Sequence, residues 1–264
     1  MLQLPFWMAA LLFVYLFMLG ACITSFLFVI AFREASGSKQ PFYQGRSHCD
    51  TCNAILTARD LVPIFSWLAS KGRCRHCGAK IPAIYPIGEA LGGMGMVLAF
   101  WAYATQPAKL LVAIGVWVFL MLIALYDSLT MEIPDLYTLL LAVPCLLSLW
   151  VFDGPPLSGR ILGIFIVSVP MLLLALLIPG AFGGGDIQLM AVCGFLLGWQ
   201  NTLVAFFLSL VAAMVQIVLL LASGKIQLGK SGQHMPFGPA LCAGCYLSLL
   251  FGDSLLHWYT SLFH

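Results

Sequence analysis

The sequence predicts an all-α polytopic membrane protein, with about eight transmembrane helices and a small cysteine-bearing polar domain between helices 1 and 2. Three observations carry this prediction. Of the 264 residues, 62% are hydrophobic and only 8% are charged, which lies outside the range of soluble globular domains. Several apolar runs reach the length of about 20 residues that a helix needs to cross a bilayer. One long polar segment interrupts them, and it holds four of the nine cysteines as two C-x2-C pairs.

The first apolar run extends from Trp7 to Phe32. It is too long for a signal-peptide core and lacks a basic start, so it reads as a retained span. The polar segment runs from Arg33 to about Tyr85. A second run covers Ile87 to Tyr103 and a third Leu110 to Tyr126, followed by a short polar connector, Asp127 to Asp135. The fourth run, Leu136 to Phe152, ends in the turn sequence Asp153-Gly154-Pro155-Pro156. The fifth is Ile161 to Pro179. The stretch Gly183-Gly184-Gly185-Asp186 leads into a short sixth run, Ile187 to Gly198, and Gln200-Asn201 is expected to turn the chain into a seventh, Thr202 to Ala222. A polar loop from Ser223 to Pro236 precedes the eighth, which ends near His257. The expected organisation is therefore a first transmembrane helix over 1–32, a polar cysteine domain over 33–86 and a helical membrane domain over 87–264.

The basic residues set the expected orientation. With the polar segment in the cytoplasm, eight spans put Arg33, Lys39, Arg46, Arg59, Lys71, Arg73, Arg75, Lys80, Lys225 and Lys230 inside. Only Lys109 and Arg160 fall outside. Cytoplasmic loops of membrane proteins carry such an excess. The same orientation puts both termini outside, and Asp127 and Asp186 together on the cytoplasmic side. A formal net charge of +2, with no basic stripe interleaved with aromatics, gives no sign of nucleic-acid binding. A transporter-like internal repeat is not visible, since only one glycine-broken span is found.

Asp127 and Asp186 are the two carboxylates that the sequence singles out. An ionisable group at the end of a membrane span is costly and marks a functional site by default. Two carboxyl groups held close together share a proton, one ionised and one protonated. This is the arrangement of aspartic proteolysis, where the ionised member takes a proton from water and the protonated one polarises the scissile carbonyl. Gly183, Gly184 and Gly185 offer a close approach to an extended substrate backbone. Pro134-Asp135 before an apolar run reads as a helix cap.

Cys49-x2-Cys52 and Cys74-x2-Cys77 lie 21 residues apart. Tetrathiolate zinc sites use this spacing, with each pair forming one knuckle. In a cytoplasmic segment disulfides are disfavoured, which leaves thiolates on zinc. Four thiolates leave no open position, so the metal would be structural. Cys22, Cys145, Cys193, Cys242 and Cys245 lie in apolar runs and read as small hydrophobes. Gly92-Gly93-Met94-Gly95 reads as a helix-packing pattern.

Four motifs in order resemble those of the type IV prepilin peptidases. They are Ser47-His48-Cys49-Asp50-Thr51-Cys52 with Gly72-Arg73-Cys74-Arg75-His76-Cys77 and Tyr85-Pro86-Ile87-Gly88-Glu89; Asp127 through Asp135 with its Asp, Thr and Ile-Pro; Gly183-Gly184-Gly185-Asp186 as a GxGD motif; and Pro236-Phe237-Gly238-Pro239. The resemblance implies a bifunctional aspartic peptidase and N-methyltransferase, multi-pass in the bacterial inner membrane. Such an enzyme cleaves the short basic leader of prepilins and pseudopilins after a glycine, at the cytoplasmic face. It then methylates the new N-terminus with S-adenosylmethionine. By the same resemblance Asp127 and Asp186 are the catalytic pair, and the four cysteines belong to a zinc-binding domain of the methylating forms. Glu89 is a candidate substrate-binding position. The sequence departs from the family at Gln188, where a lysine is usual, and at Thr24-Ser25-Phe26-Leu27-Phe28. Two rival classes share some of these features: a proton-coupled transporter with interfacial carboxylates, and a membrane-anchored zinc module that only binds partners. The first calls for a repeat, and the second has no use for two aspartates on one side.

Overall fold

The structure is a computed structural model that describes residues 5–37, 45–178, 180–222 and 235–262. Lys39, Lys225 and Lys230, counted above for orientation, lie outside the described residues. The order is α1 (Phe6–Ala35), a 3-10 turn (Ala58–Asp60), α2 (Phe65–Ala69), α3 (Ile84–Tyr103), α4 (Pro107–Thr130), α5 (Asp135–Val151), α6 (Leu157–Leu177), α7 (Gly184–Ala222) and α8 (Gly238–Ser261). Among the described residues the only β pairing is two isolated antiparallel bridges.

Among the described residues, six helices are long and apolar enough to cross a membrane: α1, α3, α4, α6, α7 and α8. Helix α5 is apolar but has only 17 residues. Helix α7 is interrupted at Gly198, whose φ of 73° and ψ of 167° are non-helical, so it consists of two arms, 184–197 and 199–222. With α5 and the divided α7 counted, the eight apolar runs each have a helical counterpart. The expected turn at Gln200-Asn201 is instead a break two residues earlier. Only glycine fits there, because the φ is positive and a Cβ would strike the Pro155 ring. Asn201 is already helical, and its side-chain amide donates to Asp253 Oδ1 at 2.8 Å.

The chain forms two compact units, Met1–Thr105 and Gln106–His264. In the first, α1 packs on α3 through glycines. A Cβ on Gly93 would lie 2.7 Å from the Phe17 carbonyl oxygen, and one on Gly92 would collide with the Thr24 hydroxyl. Small residues let membrane helices approach where no hydrophobic force drives them together, which is how the Gly92-Gly93 pattern is used.

In the second unit α7 packs on α6 and α8, and α4 packs on α5 and α8. Gly163 of α6 and Gly194 of α7 meet backbone to backbone, where neither could carry a side chain. Tyr126 of α4 and Tyr137 of α5 are edge-to-face at 5.5 Å between centroids. Cys242 and Cys245 are buried on α8, with the Cys245 sulfur 3.8 Å from that of Met190 on α7, so this C-x2-C serves packing.

Arg160 behaves differently from a loop cation. It lies in the first turns of α6 and is only 2% exposed. It donates to Ser148 Oγ at 2.8 Å, and to the carbonyl oxygens of Pro155 at 3.3 Å, Leu196 at 3.4 Å and Phe195 at 3.5 Å. The last two belong to the end of the 184–197 arm, whose final carbonyls have no helical partner beyond the break. A cation at a helix C-terminus also complements its dipole. Arg160 therefore closes the end of the arm that begins at the GxGD motif.

Candidate active site

Asp127 lies in the last turn of α4 and is buried, with 4% exposure. The helix ends just beyond it. Met131 takes a left-handed conformation at φ 58° and donates its N–H to the Asp127 carbonyl at 2.8 Å. The Asp127 side chain accepts, at Oδ2, the backbone N–H of Gly238 at 2.9 Å. Gly238 opens α8 within Pro236-Phe237-Gly238-Pro239. A Cβ there would lie 2.7 Å from Asp127 Oδ2, 2.8 Å from Cγ and 3.0 Å from Cβ. The late motif thus supplies both a donor and the space that the carboxylate fills. Sequence reasoning noted the motif without a role for it. A glycine between two prolines at the start of a helix was the available signal.

Asp186 lies in the first turn of α7 and is partly buried. Its Oδ2 accepts the Gly183 N–H at 3.2 Å, the return half of a capping box, which satisfies one of the orphan donors at the helix start. The three glycines before it differ in use. None has a positive φ, so the left-handed freedom of glycine is not what the motif needs. A Cβ on Gly185 would lie 2.6 Å from Ile133 Cβ and 3.1 Å from its carbonyl oxygen, so this glycine seats the second motif against the first. Gly183 is close only to Asp186 itself, and Gly184 has open space where its Cβ would be.

Asp127, Met131, Glu132, Ile133, Gly183, Gly184, Gly185 and Asp186 line one cavity of about 280 Å3. Two carboxylates from different helices thus share one space, each with an oxygen held by a backbone N–H. Asp135 stands apart, exposed in the first turn of α5 without a side-chain cap bond. Gln188 is exposed as well. Residues two positions apart in a helix are about 200° apart around the axis, so position 188 is turned away from Asp186. Gln188 is not among the residues that line the shared cavity.

The four cysteines come together in the first unit. Their sulfurs all lie within 4.8 Å of one another, and those of Cys49 and Cys77 are 3.9 Å apart. Zinc–thiolate bonds of about 2.3 Å set tetrahedral sulfur–sulfur edges of about 3.8 Å, so the group lies within about 1 Å of the spacing that a bound metal ion needs. Two copies of one knuckle build it. Cys49 N–H donates to Ala54 O at 3.0 Å and Asn53 N–H to Cys49 O at 2.8 Å; Cys74 N–H donates to Ala79 O at 2.8 Å and Gly78 N–H to Cys74 O at 2.9 Å. Asn53 and Gly78 take the matching positive φ values of 55° and 73°. The segments 47–56 and 72–81 are thus one short motif used twice, a repeat visible in the sequence once Cys-x2-Cys-Asn-Ala is set beside Cys-x2-Cys-Gly-Ala. The backbone N–H groups of Cys52 and Thr51 point at the Cys49 sulfur and lower its pKa to about 6, which favours the thiolate that a metal needs.

Glu89 is buried in α3, at 8% exposure. Its Oε2 accepts the N–H of Ile64 at 2.7 Å. Ile64 sits at φ 63° and ψ −53°, a conformation that a β-branched residue rarely adopts, and the carboxylate pins it at the start of α2. Asp60 accepts the Thr57 hydroxyl and N–H, which hold its carboxyl below the usual range, and pairs with Arg75 at 3.5 Å.

Fold and site together define a class: helical membrane proteins in which two aspartates from different helices meet in one cavity, joined to a four-cysteine module able to hold a metal. The chain belongs to the type IV leader peptidase family. The model of that family matches residues 113–218, and that of the bacterial peptidase A24 N-terminal domain matches 18–103. A prepilin leader peptidase/N-methyltransferase of Bacillus subtilis (strain 168) is 30% identical over 258 residues, 94% of this chain and 97% of that protein. Proteins of the same name from Aeromonas salmonicida (strain A449) and Myxococcus xanthus (strain DK1622) are 34% and 32% identical, over 82% and 84% of this chain and 75% and 68% of theirs. No solved structure matches the chain. Membership of a peptidase family removes the transporter and the binding-only module as readings.

Proposed function

We propose that this protein is a membrane aspartic endopeptidase that removes the leader peptide of type IV prepilins or pseudopilins and N-methylates the new N-terminus, with Asp127 and Asp186 as the catalytic pair. The observation that carries the peptidase reading is the cavity that the two aspartates share, lined on one side by the open Gly184. In a resting pair one carboxyl holds a proton and the other is ionised. The ionised oxygen takes a proton from a water in the cavity, and the resulting hydroxide attacks the scissile carbonyl carbon. The protonated partner donates to the carbonyl oxygen as charge develops there. Collapse of the tetrahedral intermediate expels the amine, which takes its proton from the pair. Gly238 and Gly183 each engage only the Oδ2 of their aspartate, so Oδ1 of each carboxylate would be the oxygen that meets water and substrate.

The wider reading places the enzyme in the bacterial inner membrane, with the cysteine domain and both aspartates on its cytoplasmic side, as the excess of basic residues there supports. The substrate's apolar helix would lie in the bilayer, bringing a bond after glycine to the membrane surface. Residues 33–86 would form the metal-binding domain and 87–264 the peptidase domain. Cys49, Cys52, Cys74 and Cys77 would hold a structural zinc, since thiolate donors suit it and all four positions are filled. S-adenosylmethionine would supply an electrophilic methyl group on a sulfonium.

The test replaces each aspartate separately by Asn and follows leader loss from a purified prepilin. Loss of a general acid or base removes about 10²–10⁴-fold. Both variants are expected to fall by at least that while melting at the wild-type temperature. Cleavage at the wild-type rate by either one ends the catalytic-pair reading.

A further inference from the structure

The first unit contains a second, larger cavity of about 540 Å3, and the peptidase chemistry makes no use of it. Its size falls within the roughly 300–1,000 Å3 of small-molecule sites. The peptidase cavity, at about 280 Å3, is lined by short motifs and backbone and suits a peptide strand. The larger cavity is built from four walls: α1, the two cysteine knuckles, α2 and the start of α3.

We propose that this cavity binds S-adenosylmethionine, with Glu89 and the aromatic faces of Phe28 and Tyr85 around its sulfonium end. The proposal rests on the methyltransferase half of the function above. A sulfonium ligand asks for a carboxylate or aromatic faces close to a fixed positive charge, because a cation over an aromatic ring is attracted by the ring quadrupole. Glu89 lines the cavity and is held in place by the Ile64 N–H. Phe28 and Tyr85 line it beside Glu89, with ring centroids 5.0 Å apart. The rest of the lining answers the other parts of the ligand. Trp67, fixed by its indole N–H on the Ile81 carbonyl at 3.1 Å, is a flat surface for a purine. Asp60 is an ionised acceptor suited to a ribose diol, and Arg33 suits an amino-acid carboxylate. Cys49 and Cys74 belong to the same lining, so the metal cluster holds one wall in shape.

The experiment uses the full-length protein purified in detergent. Titration calorimetry with S-adenosylhomocysteine measures binding directly, without turnover. Ultraviolet labelling with methyl-tritiated S-adenosylmethionine, followed by peptide mapping, locates it. The wild type is expected to bind, with the label between Ser25 and Glu89. Glu89→Gln removes the charge facing the sulfonium, and Val29→Trp fills the cavity from α1. Both are expected to weaken S-adenosylmethionine binding at least tenfold while keeping the wild-type metal content, which reports that the knuckles are intact. A label mapping within 106–264 overturns the assignment while leaving N-methylation standing. Binding by both variants within threefold of the wild type does the same. A wild-type protein that binds neither compound removes the methyltransferase reading, and the site falls with it.

Discussion

Gly238→Ala is the sharpest probe of how the aspartates are held. The added Cβ would sit 2.7 Å from Asp127 Oδ2 and 2.8 Å from Cγ, distances at which the side chain must move. The φ at this position is not positive, so alanine is conformationally admissible and the effect is steric. Overpacking of this kind costs about 1–3 kcal/mol. Displacing the carboxylate also breaks the 2.9 Å bond from the Gly238 N–H, and a hydrogen bond to a charged group is worth about 1.5–3 kcal/mol. The protein avoids most of the first cost by turning Asp127 aside, and that turn moves the reacting oxygen. Misplacement by about 1 Å costs about 10²-fold in rate. We therefore expect kcat for leader cleavage to fall about 100-fold, with KM within about threefold, since the substituted glycine is not itself among the residues lining the cavity. The assay is steady-state cleavage of a prepilin in proteoliposomes, with thermal melting alongside. A Gly238→Ala enzyme with wild-type kcat would show that Asp127 is not held by α8 in the state that cleaves.

Further outcomes follow from the same geometry. Gly185→Ala meets Ile133 at 2.6 Å and is expected to destabilise by about 1–3 kcal/mol, read as a lower melting temperature, whereas Gly184→Ala, which meets nothing, should melt as the wild type. If substrate backbone passes over Gly184, that variant raises KM, and an unchanged KM excludes the approach. Cys74→Ser removes one of four clustered sulfurs, and bound metal measured by atomic emission should fall well below the wild-type ratio. Arg160→Met keeps the bulk but leaves the Phe195 and Leu196 carbonyls and Ser148 without their donor, so a loss of about 2–4 kcal/mol is expected by thermal or denaturant unfolding. An unshifted melt would mean that the arm 184–197 does not depend on that cation.

Much of the molecule was legible because membrane helices announce themselves by length and apolarity. The first run, Trp7 to Phe32, became α1 at Phe6–Ala35, and the third, Leu110 to Tyr126, became α4 at Pro107–Thr130. The cysteine spacing named a four-sulfur cluster because ligand spacing is a local property of the chain. The sequence counts Arg160 only for orientation and gives no sign that it is buried. Its burial depends on carbonyls 35 and 36 residues away, and no local pattern records that. The polar pair Gln200-Asn201 signals a turn, whereas the break falls on Gly198, where φ is positive and the Pro155 ring leaves no room for a Cβ.

By itself the sequence determined the class of protein, the helical runs, the paired aspartates and the family, since hydropathy, spacing and short motifs are carried by neighbouring residues. Only the tertiary structure decided what holds the pair: the N–H of Gly238 from 111 residues away on Asp127, Gly185 against Ile133, and one cavity between them. These are contacts between helices, and their geometry exists only once α4, α7 and α8 have packed.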